Sequence, residues 1–232
     1  MALNKRLSKY MTYDYFKSLG IFWAVMILLN IIAYLVTYRM QSEFVFGPMI
    51  RSGQMLSFAG ANLFAVLIFF IVYAITMYYE SFSLTGTFAI TRRDFYLQAI
   101  VSNLIVAAIS GVIQVGLLKL DILVIERLGY EPMLDYGYFH MNNSLLLNVL
   151  IVSFAFLLCL SLGNLVGILV YRYSYRFWIA LAIVGFLTGL FAGNLASIVI
   201  GFFTSLGYLG GLIAILLSYG IGFLVIRRLN IK

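Results

Sequence analysis

Few residues in the apolar parts of this chain have side chains that could do chemistry. Lys119 and Asp121 are the ionisable residues set well inside an apolar run. Two residues apart on a helix, they do not share a face. A membrane proton relay needs a carboxylate near the midplane with a partner on another span, and the pattern offers neither. Both are expected at the membrane edge, where snorkelling lowers their cost. His140 is the one histidine, so an H-E-x-x-H zinc site is excluded, and it reads as an ordinary loop residue. Cys159 is the one cysteine, which excludes an internal disulfide; inside an apolar run it reads as a small buried side chain. The chain has no G-x-x-x-x-G-K-[ST] loop, no G-x-S-x-G elbow and no pair of acids within one apolar segment. An intramembrane enzyme would need such groups, so bond chemistry is not expected.

The elements that must position these residues are membrane spans. Apolar residues make up 64% of the chain and charged residues 10%, where a soluble domain carries about a quarter charged. A helix needs about 20 apolar residues to cross a hydrocarbon core of about 30 Å. Six segments qualify: 19–38, 55–79, 95–118, 145–170, 177–200 and 207–226. The basic residues then fall mainly on one side. Lys5, Arg6, Lys9 and Lys17 precede the first span, and Arg92 and Arg93 separate the second from the third. Arg172 and Arg176 separate the fourth from the fifth, and Arg227, Arg228 and Lys232 follow the sixth. The other side carries Arg39, Arg51 and Arg127 with Glu43, Glu126, Glu131 and Asp135. By the positive-inside rule both termini are cytoplasmic. The net charge of +7 is thus a topology signal; short clusters at membrane edges do not make a nucleic-acid surface. The first apolar run is too long for a cleavable signal peptide and no A-x-A site follows it, so it is expected to stay in the mature protein.

Residues 1–18 are amphipathic. Leu3, Leu7, Tyr10, Met11 and Tyr15 share a broad helical face opposite Lys5, Arg6, Lys9 and Lys17, which predicts a helix lying in the headgroup plane. Residues 19–226 form the six-span bundle and 227–232 a cytoplasmic tail. In the inner connection Thr91 and Asp94 make an [ST]-x-x-[DE] capping box, so the third span is predicted to start at Arg92. Before it, residues 81–89 mix Phe82, Leu84, Phe88 and Ala89 with small polar residues and predict a short surface helix. The acidic outer connection 126–143 is predicted to fold over the outer mouth. Small residues four apart, at Gly163 and Gly167, at Gly185, Gly189 and Gly193, and at Gly207 and Gly211, allow helix backbones to approach closely. Packing within one subunit and packing between subunits both fit that pattern. Asn30, Thr76, Asn103, Gln114, Asn164, Asn194 and Ser218 are polar residues inside spans. Residues 197–206 stay apolar, and both a re-entrant piece and a simple hairpin fit there.

The stretch 84–95, LTGTFAITRRDF, resembles the "alG-x-sR-x-x-f" segment of bacterial ABC-2-type permeases and sits where that family has it, with Ala89 in place of the family's glycine. The amphipathic start, the six spans and the cytoplasmic termini fit that family along the whole chain. The resemblance implies an all-α, type V exporter-like membrane subunit of an ATP-driven exporter in a bacterial cytoplasmic membrane. It implies a coupling helix within residues 80–89, with Glu80, Phe82, Leu84 and Phe88 contacting a separate ABC ATPase and Arg92 and Arg93 flanking it. ATP and magnesium would be bound by that partner, with no cofactor on this chain. A second six-span subunit, identical or related, would complete the pathway, with the first and second spans at the contact by that analogy and the fifth placed there by the spacing of Gly185, Gly189 and Gly193. The apolar, aromatic lining suits a lipid, hydrophobic drug or amphipathic peptide. The competing readings are an ion-coupled secondary transporter, which needs a midplane ionisable residue or inverted repeats, and a non-transporting scaffold or intramembrane enzyme.

Overall fold

The computed structural model describes residues 5–40, 50–51, 54–55, 57–85, 91–135, 140–191 and 206–227. The elements run in the order α1 (Lys5–Met40), β1 (Ile50–Arg51), β2 (Gln54–Met55), α2 (Phe58–Ala61), α3 (Leu63–Thr85), α4 (Arg92–Arg127), β3 (Glu131–Pro132), α5 (Leu145–Tyr173), α6 (Tyr175–Phe191) and α7 (Tyr208–Arg227). Five stretches are long and apolar enough to cross a membrane: Tyr13–Val36, Phe58–Phe82, Arg92–Arg127, Leu145–Tyr173 and Tyr208–Arg227. The chain is therefore a multi-pass membrane protein. Large apolar side chains such as Ile21, Leu28, Leu35, Phe64, Val112, Leu146 and Leu216 stand exposed along these helices, as a lipid-facing surface requires. The fifth expected span, 177–200, is described as far as Phe191, where α6 has 17 residues; its remainder lies outside the described residues.

Three boundaries differ from the sequence reading. The expected break between an interfacial helix at 1–18 and a first span does not occur, because α1 runs without interruption through residues 5–40. Its buried residues explain this. Tyr15, Leu19, Trp23, Met26 and Asn30 recur every three or four positions, so one packed stripe continues across the polar-to-apolar change. Gly20 alone is a cost of about 1 kcal/mol, too little to end a helix of this length. The expected separate helix within 80–89 also differs. Residues 80–85 are the last turns of α3, because Tyr78 and Phe82 continue the buried stripe of Val66, Phe70 and Ala74. Residues 86–90 lie outside the described residues. Finally, α4 does not end near 118 but continues past Lys119 and Asp121 to Arg127. The chain is also not purely helical: β1 pairs antiparallel with β2, and β2 pairs parallel with β3 through Gln54 opposite Glu131.

The start of α4 agrees with its capping box. Thr91 Oγ1 accepts from the Asp94 N–H at 3.1 Å and donates to Asp94 Oδ2 at 2.7 Å. The helix thus opens at Arg92 with an acid in its first turn. Of the five candidate spans α4 is the most buried.

The chain divides into two compact units. Unit 1 comprises Met1–Ser8, Phe69–Asn103 and Leu157–Lys232; unit 2 comprises Lys9–Ile68 and Leu104–Phe156. In unit 1 helix α5 packs on α3 through glycine. A Cβ on Gly163 would fall 2.9 Å from Ile71 O, and one on Gly167 would fall 3.0 Å from Ala74 O, both closer than carbon and backbone oxygen tolerate. The expected glycine pair thus serves packing within one chain. Gly222 on α7 likewise leaves room for the Tyr96 hydroxyl, which donates to Tyr219 O at 2.7 Å. In unit 2 Phe58 and Ile125 form a small apolar core with Ala33 and Tyr34 packed on it.

Candidate functional site

Polar side chains inside the spans make a set of contacts within each unit. The richer one is in unit 2. Ser57 caps α2 by accepting from the Gly60 N–H at 2.7 Å. The next free amide, Ala59 N–H, donates at 2.7 Å to Asp121 Oδ2 on α4. The Tyr34 and Ser57 hydroxyls and the Phe58 amide are further hydrogen-bonding groups around that carboxylate. Asp121 is buried. A helix end buried in apolar surroundings needs partners for its first amides, and this carboxylate reaches across from another helix to supply them.

The helix is interrupted at Asn62 between α2 and α3. Gln114 Nε2 donates to Ala59 O at 2.8 Å. The Asn62 amide donates to Asn30 Oδ1 on α1 at 2.5 Å. Asp121, Gln114 and Asn30 therefore supply from two other helices the partners that this irregular turn needs. Lys119, two residues from Asp121, points elsewhere: its Nζ donates to Met141 O at 3.0 Å and pins the loop before α5. This agrees with the expectation that the two do not share a face. Asp121 is buried and accepts from the Ala59 amide on α2. In that loop the His140 backbone bridges to Asp135, and its Nδ1 accepts from the Asn142 N–H at 3.3 Å. Those are the contacts of a loop residue.

In unit 1 the polar contacts are sparser. The Tyr78 hydroxyl donates to the side-chain oxygen of Asn164, joining α3 to α5 beside the glycine contact. Asn103 Nδ2 donates to the Tyr219 hydroxyl at 3.2 Å, joining α4 to α7. Around them are rings: Phe82 and Phe95 lie 5.2 Å apart edge-to-face, and Phe82 and Tyr171 lie 5.1 Å apart.

The residues carried over as ATPase contacts have unequal positions. Glu80 and Arg93 are exposed and Arg92 is half-buried. Phe82 is completely buried among Tyr78, Phe95 and Tyr171, so it is a packing residue and does not face a partner. Leu84 belongs to the last turn of α3, and Phe88 lies outside the described residues. Gly185 and Gly189 lie on α6, and Gly193 lies outside the described residues. No group of three His, Cys, Asp or Glu able to hold a metal occurs among the described residues. Cys159 is unpaired and partly buried.

Sequence reasoning singled out Asn30, Gln114 and Asn164 as polar residues in spans but gave them no partners. Those partners lie 32, 55 and 86 residues away. The one available signal was the polar residue itself, since an amide in a span needs a partner on another helix. Comparison with protein-family models, curated proteins and solved structures finds no match.

Proposed function

We propose that this chain is the membrane-spanning permease subunit of an ATP-driven exporter in a bacterial cytoplasmic membrane. In this reading it has six spans, both termini inside, and a separate ABC ATPase docked at the connection between α3 and α4. The cargo is hydrophobic or amphipathic: a lipid, a drug or a toxic peptide. A second six-span subunit completes the pathway, and ATP closure of the partner subunits tilts the two bundles to open it outward.

The observation that carries the reading is the capped start of α4. The segment resembling the ABC-2 permease motif ends in a Thr91–Asp94 box that begins a long apolar helix at Arg92, directly after another such helix. Arg93 is exposed there and Arg92 partly so, available to an acidic partner surface. The test is affinity purification of the tagged chain from its own membranes. Wild type is expected to bring down a nucleotide-binding subunit. Leu84→Asp with Phe88→Asp is expected to lose it while still inserting into the membrane. Undiminished capture by that double variant would overturn the docking site. Phe82 is unsuited to this test, because changing it disrupts packing.

A further inference from the structure

The link between α5 and α6 is one residue long. Ser174, at φ 51, is the non-glycine residue with positive φ among the described residues, and it breaks the helix between Tyr173 and Tyr175. Arg172 and Arg176 stand on either side of it. Arg172 carries its guanidinium 5.0 Å from the centre of the Tyr173 ring, and Arg176 is exposed. Tyr173, Tyr175 and Trp178 are 44%, 64% and 49% exposed. No Asp or Glu follows Asp135 in the sequence, and among the described residues no carboxylate pairs with either arginine.

We propose that this one-residue link binds the headgroup of an anionic phospholipid, its phosphate paired with Arg172 and Arg176. Guanidinium groups match phosphate oxygens in a planar, two-pronged geometry that an ammonium does not reproduce. Tyr and Trp are the side chains that settle at headgroup depth, apolar ring inward and polar edge outward. A lipid is favoured over a protein partner because the link is a single residue. Both arginines sit within a turn of an apolar helix, so no loop projects from the membrane to meet a soluble surface. The Tyr173 ring beneath Arg172 holds that guanidinium at the helix end. The site requires the chain to lie in a bilayer and is independent of ATP coupling.

The full chain in nanodiscs, analysed by native mass spectrometry, tests this. Wild type is expected to retain phosphatidylglycerol in preference to phosphatidylcholine, and excess inorganic phosphate is expected not to displace it. R172Q/R176Q is expected to lower that preference about 30-fold, from two charges near an anionic surface. R172K/R176K is expected to keep part of it. Should the double Gln variant fail to fold, the two single Arg→Gln variants are read instead. Retention equal to wild type in the Gln variants overturns the proposal. So does displacement by inorganic phosphate, which would mark a general anion site. Loss of a co-purifying protein from the Gln variants with lipid retention unchanged would make the link a partner contact and overturn it too.

Discussion

Units 1 and 2 are both built from long apolar helices, yet different forces hold them. Unit 2 relies on polar ties: Asp121 to the Ala59 amide, Gln114 to the Ala59 carbonyl, Asn62 to Asn30 and Lys119 to Met141 O. Unit 1 relies on close backbone approach at Gly163, Gly167 and Gly222 and on edge-to-face rings around Phe82. The cause is local. Unit 2 contains the start of a span whose first turn is interrupted at Asn62, and apolar surroundings offer such backbone no solvent partner. In unit 1 the packed parts of α3 and α5 are regular helix, their backbone groups are already paired, and contact area decides the packing. Asp121 and Gln114 thus answer to an irregular backbone turn, and Gly163 and Gly167 answer to the neighbouring helix.

The largest expected effect breaks the polar side of this contrast. Asp121→Ala leaves the Ala59 amide buried without its acceptor and is expected to cost about 2–4 kcal/mol in detergent-solubilised protein. Asp121→Asn keeps an acceptor oxygen and should cost less. A melting temperature equal to wild type for Asp121→Ala would show that the amide does not depend on the carboxylate. The next effect breaks the glycine side. Gly163→Val should cost about 1–3 kcal/mol, because a new Cβ meets Ile71 and Ala74. Gly116→Ala, with nothing within 4 Å of the added carbon, should be neutral or slightly stabilising in the same melting assay. Equal destabilisation by both would mean that helix flexibility, not close approach, is what glycine supplies. The smallest effect sharpens the comparison. Tyr78→Phe removes the bond to Asn164 and should cost about 0.6 kcal/mol, the usual size of one side-chain bond between spans. A loss as large as that of Asp121→Ala would mean that unit 1 also depends on polar ties.

Much of this fold was legible from hydropathy. Apolar runs located five long helices, and the Thr91–Asp94 box placed the start of α4 at its observed residue. Such signals are local: a capping box is complete within four residues. The role of Asp121 was not legible, because its partner is a backbone amide 62 residues away and any sequence can supply an amide. The continuity of α1 was missed because a change from polar to apolar composition looks like a boundary, while the packed stripe from Tyr15 to Asn30 crosses it unbroken. Phe82 was read as a surface residue from its small polar neighbours, although its spacing of four from Tyr78 placed it on the buried face of α3. The Gly163–Gly167 spacing showed that some helix comes close, and the fold showed that it is α3 of the same chain.

The permease reading rests on one premise: the chain crosses the membrane with its arginine-bearing helix ends in the cytoplasm. Single cysteines at Ser174 and Asn143, each in a Cys159→Ala background, test it in intact cells with a thiol reagent that does not cross membranes. The account predicts that the cysteine at 143 reacts at once and the cysteine at 174 reacts only after the membrane is permeabilised. Reaction at 174 in intact cells, with 143 protected, would invert the topology and contradict the docking of a cytoplasmic ATPase between α3 and α4.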